Sequence, residues 1–218
     1  MKARLFNALI AGTLLLMPNV IFGQSAPALG TTSTFALFSA VGAFNNTGAS
    51  IVTGDVGTNV GAFNAFPPGT LVGQKHVADP ASAVAATDVD LAYSALGATT
   101  CGTVIGVGLG NGQSLNPGVY CLGAASTLNG DLILNGLGDA SSLFIFKIDG
   151  ALSTGTFSNV VLTNSASLCN VYWQINGQFQ LGESSVFRGT IVANGAIILL
   201  EGSSLLGRGL TRQGAIYE

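Results

Sequence analysis

The sequence predicts a mostly β chain wound as a β-solenoid, with one long α-helix packed alongside. Three observations carry that prediction. A short phrase recurs, as Asn129-Gly130-Asp131-Leu132-Ile133-Leu134, Asp149-Gly150-Ala151-Leu152-Ser153-Thr154, Asn176-Gly177-Gln178-Phe179-Gln180-Leu181 and Asn194-Gly195-Ala196-Ile197-Ile198-Leu199. Only 8% of residues are charged while 31 are Gly. One segment, 79–96, leaves the strand pattern for a helical one.

In the recurring phrase, Asn-Gly or Asp-Gly supplies a turn, because both residue types tolerate positive φ. The alternation that follows is a period-two strand with one face inward. The steps of 20, 27 and 18 residues are close to one solenoid coil each, and the longest suggests a loop insertion. A chain this poor in charge must clothe itself in Ser, Thr, Asn, Gly and apolar groups. Tight solenoid corners need Gly, and outward strand positions can be small and neutral. A hydrophobic content of 48% is too high for disorder. The 218 residues suffice for one large all-β domain, 29–218.

Ahead of that domain, Lys2 and Arg4 followed by the apolar run Leu5 to Met17 read as a secretory signal, residues 1–23. Cleavage falls between Gly23 and Ala28, where Gly23–Gln24 and Ala26-Pro27-Ala28 are rival sites. The run is too short for a membrane anchor, and no second spanning segment appears. The expected product is secreted and independent of membranes. Its formal charge of −3 and its lack of a basic patch make nucleic acid a poor partner.

Residues 31–73 read as the first coils. Thr34 to Phe38 is apolar, Ser50 to Val60 alternates, and Phe66-Pro67-Pro68-Gly69-Thr70 must be an irregular turn, since two prolines remove two ladder donors. In 79–96, Asp79 is an N-cap, Pro80 takes the first helical position and Gly97 is a C′ residue. The inward stripe is read as Ala81, Val84, Ala85, Leu91, Ala92 and Ala95. Residues 98–125 read as a loop-rich cap. From Ser126 to Ile216 strand follows strand: Phe144, Phe146 and Ile148 alternate with Ile145 and Lys147, and Val171, Trp173 and Ile175 with Tyr172 and Gln174.

In an oxidising compartment, Cys101 and Cys121 are the favoured disulfide pair, because they bracket one Gly-rich loop. Closing a loop of about 20 residues contributes roughly 3 kcal/mol. Cys169 then remains free, as a small buried hydrophobe. With a single histidine, His76, and no Cys-x-x-Cys spacing, neither a metal nor another cofactor is expected. No Gly-x-Ser-x-Gly elbow surrounds a serine, so His76 reads as a cap at the helix junction and no enzyme is indicated. Asp131, Asp139 and Asp149 read as turn residues rather than calcium ligands. Glu183 and Glu201, about one coil apart, would repel as face neighbours and read as corner residues rather than a glycosidase pair.

Several of these segments, in this order and spacing, resemble the ice-binding-protein-like family of secreted microbial antifreeze proteins. They are Phe66-Pro67-Pro68-Gly69-Thr70, His76 with the Ala-rich helix, Leu115-Asn116-Pro117-Gly118-Val119-Tyr120 and Leu143-Phe144-Ile145-Phe146-Lys147-Ile148. Cys169-Asn170-Val171-Tyr172-Trp173-Gln174, Phe187-Arg188-Gly189-Thr190-Ile191 and Gly207-Arg208-Gly209-Leu210 complete the set, which spans most of the chain from about Phe35. The resemblance implies a discontinuous right-handed β-solenoid of triangular section with a helix along one side. It places Cys101 and Cys121 in the cap, where some relatives carry a disulfide. It also implies a monomer that adsorbs to ice through one flat face and inhibits ice growth or recrystallisation.

Active relatives often carry Thr on the outward column, where this chain reads Ser153, Gln180 and Ile198, with Glu183, Leu200 and Glu201 nearby. The expected ice-binding patch is therefore Ser153, Thr154, Thr156, Gln180, Ser185 and Ser203. A cell-envelope or matrix adhesion module on the same scaffold is the alternative. A face carrying Glu183, Glu201 and Gln180 would favour that alternative.

Overall fold

A computed structural model of the chain describes residues 25–218; the expected signal segment, 1–23, lies outside them. Every coil has three short sides, and the pairings between coils are parallel. The first side, in stacking order, runs through Lys75–Val77, Asp55–Val60, Phe35–Val41, Ser204–Thr211, Val186–Ala193, Val171–Ile175, Phe144–Ile148, Gly118–Leu122 and Thr103–Val104. We call it the helix face. The second, the open face, runs through Phe63–Asn64, Phe44–Asn45, Ile216–Tyr217, Ile197–Leu199, Phe179–Leu181, Leu152–Thr154, Ser126–Asn129 and Gly108–Gly110. The third, the split face, holds Gln113–Leu115, Asp131–Asn135, Asn159–Thr163 and the leading halves of Val186–Ala193 and Ser204–Thr211. The pair Ile51–Thr53 and Thr70–Val72 stands apart on it as a separate two-stranded sheet.

The stacking order is not the chain order. The N-terminal strand Phe35–Val41 lies on Ser204–Thr211, with Leu37 opposite Gly209 and Phe38 opposite Leu210. The chain winds two coils in one direction and then enters the helix Pro80–Ala98. It begins again at the far end of the stack and winds back until Ile216–Tyr217 meets Phe44–Asn45. The solenoid is therefore discontinuous. The stretch expected to be a loop-rich cap is itself wound: Thr103–Val104, Gly108–Gly110, Gln113–Leu115 and Gly118–Leu122 form strands there. Its Gly and Asn content marks coil corners, and its strands are the last of each face, so it ends the stack as a wound coil.

The corner between helix face and open face fixes how closely coils approach. Gly61, Gly42, Gly214, Gly195, Gly177 and Gly150 stack there, and a Cβ on any of them would overlap the backbone of the next coil. Close approach demands glycine at all six, and at Gly42, Gly61 and Gly150 a positive φ of 153°, 152° and 159° adds to it. The corner carbonyls are bonded too. Thr58, Ser39 and Thr211 hydroxyls donate to Gly42 O at 2.7 Å, Gly214 O at 2.7 Å and Gly195 O at 2.6 Å. The phrase at Asn129-Gly130 belongs to a different corner, between open and split faces, so its step of 20 residues to Asp149 is not a coil.

Inside the coils, aromatic rings stack along the axis. Phe146 lies 3.9 Å from Trp173 and 5.4 Å from Tyr120, both stacked, and Trp173 donates to Arg188 O at 3.0 Å. Outward residues of the helix face, among them Phe38, Ile145, Tyr172 and Leu210, are buried under the helix. The helix buries Ser82, Ala85, Val89, Ala92 and Leu96, spaced i, i+3, i+7, i+10 and i+14. The predicted stripe was rotated: Ala85 and Ala92 point inward, but Val84 and Leu91 are 50% and 60% exposed. The seam is narrow, as close packing on a flat sheet requires, but it lies to one side of the stripe read from sequence.

Asp79 caps this helix by accepting the Ser82 N–H at 2.7 Å, and Ser82 Oγ accepts the Asp79 N–H at 2.9 Å. His76 Nδ1 sits 2.9 Å from Asp79 Oδ2, at the junction as expected. Gly97 lies within the helix, which ends at Ala98 with Thr99 as its C-cap. Lys147 Nζ reaches across to donate to Gly97 O and Thr99 O, both at 2.7 Å, and supplies the cation that this terminus favours. Arg212 pairs with Asp90, and the Thr31 N–H donates to Asp88 at 2.7 Å. Cys101 and Cys121 form a disulfide, with Cα atoms 6.0 Å apart. Cys169 is free but exposed rather than buried, because it sits in the short 3-10 turn Leu168–Asn170 that forms the long coil's insertion.

Two outcomes follow. Phe146→Ala opens the middle of the ring stack and lowers stability by about 3–5 kcal/mol, read by denaturant melting. The Ser82 N–H and then His76 hold the Asp79 carboxyl below its ordinary range. A depressed carboxyl contributes stability above its unfolded pKa and loses it as pH falls through the folded one. Exchange protection at the Ser82 amide should thus persist at pH 5 and be lost in stronger acid, and Asp79→Asn should flatten that pH dependence.

Candidate functional site

Of the three faces, the helix covers one and a break interrupts another. Among the described residues, the open face alone is both uncovered and unbroken, through eight strands. At about 4.7–4.9 Å per strand it extends for roughly 33 Å. Its side chains follow the strand alternation. Phe63, Phe44, Ile216, Ile197, Phe179 and Leu152 point into the core, and all but Phe63 are fully buried. The residues on either side of them point out and form two columns.

The first column is Ala62, Ala43, Ala215, Ala196, Gln178, Ala151 and Ala125, linked through backbone bonds such as Ile197 N to Ala215 O at 3.0 Å and Phe44 N to Ala62 O at 2.8 Å. The second is Asn64, Asn45, Tyr217, Ile198, Gln180, Ser153, Thr127 and Gly108, in strand register throughout. None of these positions is charged. Asn64 donates to Asn45 Oδ1 at 3.0 Å, so two outward amides are already bonded along the stack.

The six expected site residues divide three ways. Ser153 and Gln180 lie on the face, directly opposite one another in register. Thr154 and Ser185 do not. Thr154 follows Ser153 on a period-two strand and so points inward, where its hydroxyl accepts the Gly182 N–H at 2.8 Å. Ser185 is buried at the next corner, donating to Gly155 O at 2.8 Å and accepting the Ser158 N–H at 3.0 Å. Their hydroxyls hold one coil to the next and are not available to a ligand. Thr156 is exposed and Ser203 half-buried, both in turns between the open and split faces. Glu183 and Glu201 occupy the turns of that same corner, off the face, as expected. Ile198 lies on the open face, opposite Gln180 in register.

Thr127, Tyr217, Asn45, Asn64 and the alanine column escaped the sequence reading. A signal for them exists. Gly-Ala-Phe-Asn at 42 and 61, Gly-Ala-Leu-Ser at 150, Gly-Gln-Phe-Gln at 177, Gly-Ala-Ile-Ile at 195 and Gly-Ala-Ile-Tyr at 214 are six copies of one corner-plus-strand unit. Requiring Asn or Asp before the glycine concealed three of them, including both N-terminal ones.

Among the described residues, no group of three His, Cys, Asp or Glu gathers as a metal site, and no helix is long and apolar enough to cross a membrane. What the open face offers is a flat, uncharged, periodic array of small and amide side chains. Such a surface can meet another periodic surface.

The sequence model of the Ice-binding-like family matches residues 38–217. An ice-binding protein of Nostoc sp. (strain HG1) is 35% identical over 191 residues, covering 86% of this chain and 70% of that one. The crystal structure of an ice-binding protein from the Antarctic ascomycete Antarctomyces psychrotrophicus superposes with a TM-score of 0.85 at 33% identity, over 89% of this chain and 96% of that one. An ice-binding protein from an Antarctic bacterium of the Flavobacteriaceae gives 0.86 at 44% identity, over 88% of this chain but only 45% of that longer one.

The placement of the hydroxyls is testable by stability alone. Thr154→Val leaves the Gly182 N–H buried without an acceptor and costs about 1–3 kcal/mol in denaturant melts. Ser153→Val, one residue away on the outer surface, should stay within about 0.5 kcal/mol of the parent.

Proposed function

The chain belongs to the ice-binding-like family, and we propose that it is a secreted ice-binding protein that adsorbs to ice through its open face and inhibits ice growth or recrystallisation. The observation that carries the choice of face is its unbroken run of eight strands with no charge in either outward column. Ice is a rigid periodic lattice of hydrogen-bonded water. A protein surface can join it only where its own hydration water already sits near lattice positions. Methyl groups in the alanine column hold no water by strong bonds and leave it free to order. Amides and hydroxyls in the second column anchor that water at strand spacing. A charged side chain would fix water radially about itself and spoil the order. Once adsorbed, the molecule pins the ice front. The front bulges between neighbouring molecules, and its curvature lowers the local freezing point.

The face is uneven: Gln178, Gln180, Ile198 and Tyr217 interrupt the small side chains. Fewer lattice positions are matched than on a uniform column, so the expected activity is moderate. Of Glu183, Glu201 and Gln180, whose presence on the face would favour the adhesion reading, only Gln180 lies there, and the two charged residues stand in the corner turns. The reading needs no reaction and no cofactor, and a single chain carries the whole surface.

Ice-crystal shaping and the freezing gap provide the test, on protein beginning near Ser25. Thr127→Lys combined with Ile198→Lys places two charges on the open face and should remove most of the gap, while circular dichroism stays that of the parent. Thr70→Lys on the split face should leave the gap as it was. Loss of the gap in the split-face variant with retention in the open-face one would move the site to the split face.

A further inference from the structure

Five Asn-Gly pairs stand in the sequence, beginning at Asn111, Asn129, Asn135, Asn176 and Asn194. All five carry the same latent chemistry. The backbone nitrogen of the following residue can attack the asparagine side-chain carbonyl carbon, and glycine puts no side chain in the way. The attack needs two freedoms. The side-chain amide must be able to turn towards the backbone, and the glycine N–H must not be engaged elsewhere. A hydrogen bond on either group has to open first.

The fold withdraws one or both freedoms at all but one pair. The Gly112 N–H donates to Asp131 O at 2.8 Å. Asn135 Oδ1 accepts from Leu137 N at 3.0 Å and from Asn164 Nδ2 at 2.9 Å, and the buried Gly136 donates to Thr163 O at 3.0 Å. Asn176 is held at both ends of its amide: Nδ2 donates to Asp149 Oδ1 and Oδ1 accepts from the Tyr93 hydroxyl, both at 3.0 Å. Asn194 Oδ1 accepts from Arg212 at 3.2 Å, and the Gly195 N–H donates to Gly177 O at 2.9 Å. Asn129 differs. Among the described residues no hydrogen bond holds its side chain or the Gly130 N–H, and both residues are exposed. Its Oδ1 lies over Gly155 of the next coil, where a Cβ would collide with it.

We propose that Asn129 is the site at which the folded chain deamidates, and that this modification charges the open face. The Gly130 nitrogen forms a bond to Asn129 Cγ. The Cγ–Nδ2 bond breaks, and ammonia leaves with the proton that the Gly130 nitrogen gives up. Water then opens the cyclic imide at one of its two carbonyls. Hydrolysis at Cγ leaves aspartate; hydrolysis at the backbone carbonyl leaves isoaspartate. Asn129 ends the open-face strand Ser126–Asn129, where exposed Thr127 and Asn129 alternate with buried Ser126 and Leu128. Either product therefore sets a carboxylate on that face roughly 7 Å from Thr127, two residues along the strand. Isoaspartate also routes the backbone through the former side chain, so the Asn129 carbonyl that accepts the Asn111 N–H at 2.6 Å leaves the main chain. The chemistry assumes nothing about ice; its effect on activity rests on the open face being the adsorbing one.

The folded chain is aged in mildly alkaline buffer beside the same chain in denaturant, and peptide mapping by mass spectrometry follows all five pairs. In denaturant they should convert at similar rates. In the folded chain Asn129 should lead, and the others should lag it by about threefold to tenfold for each hydrogen bond that must open. Asn129→Gln should remove the leading product, because the longer side chain closes its ring far more slowly. The freezing gap of the aged parent should fall in step with conversion at Asn129, while aged Asn129→Gln keeps the gap it starts with. Conversion of another pair first in the folded chain overturns the proposal, as does an intact Asn129 in the folded chain once the denatured chain has converted. A gap that holds while Asn129 converts overturns the effect on the open face. If the fresh parent shows no gap, it is adsorption to ice that fails, and the mapping by itself upholds or overturns the deamidation site.

Discussion

Coils in this molecule stack at strand spacing only because one corner carries no side chains. Gly61, Gly42, Gly214, Gly195, Gly177 and Gly150 let each backbone lie against the next, and the hydroxyls of Thr58, Ser39 and Thr211 occupy the carbonyls that this approach would otherwise leave bare. The inward columns of Phe, Ile and Leu come into register as a consequence, and so do the outward columns of the open face. A flat face of constant period is the by-product of that corner. The scarcity of charge has the same origin, since the closely stacked positions admit only small or neutral groups.

The route of the chain brings its first and last coils together in the middle of the stack. A continuous coil would leave them at opposite ends; in this stack the edge strands, Lys75–Val77 and Phe63–Asn64 at one end and Thr103–Val104 and Gly108–Gly110 at the other, come from the middle of the chain. Here the helix Pro80–Ala98 carries the chain from one end of the stack to the other, so the N-terminal coils rest on the C-terminal ones. The helix also buries the outward side of a sheet rich in Phe, Ile and Tyr. Its two ends are fixed by local chemistry, a capping box at Asp79 and Ser82 and a lysine from the sheet at Gly97 and Thr99. The cost of the route is a junction in the middle of the stack, where the returning coil meets the first one. On two faces that junction is sealed by strand pairing; on the third no strand pairing crosses it among the described residues.

Function follows from which faces are left. Covering one side with a helix and breaking another leaves a single surface long enough to match a crystal. Hydroxyl groups alone do not mark that surface. Thr154 and Ser185 are hydroxyl residues of the right kind in the right coils, yet they serve the interior. Alanines that carry no recognisable chemistry line the face instead.

The sequence by itself determined the strand and helix classes, the solenoid, the helix start at Asp79 and Pro80, and the need for glycine at regular corners. These are local properties, set by side-chain period and backbone freedom within a few residues. It also placed Ser153, Gln180 and Ile198 in one column, because their coils share an Asn/Asp-Gly phrase. Tertiary structure alone decided the rest. Parity along each strand separates Ser153 from Thr154, but which parity faces out depends on what the neighbouring coil buries. The side of the helix that is hidden depends on the flatness of the sheet beneath it, so the stripe turned away from Val84 and Leu91. Cys169 is exposed because an inserted turn lifts it off the stack. The meeting of Phe44–Asn45 with Ile216–Tyr217, which completes the open face, joins residues more than 170 positions apart. No local pattern encodes such a contact, because it forms only when both halves of the chain have wound and the helix has brought their ends together.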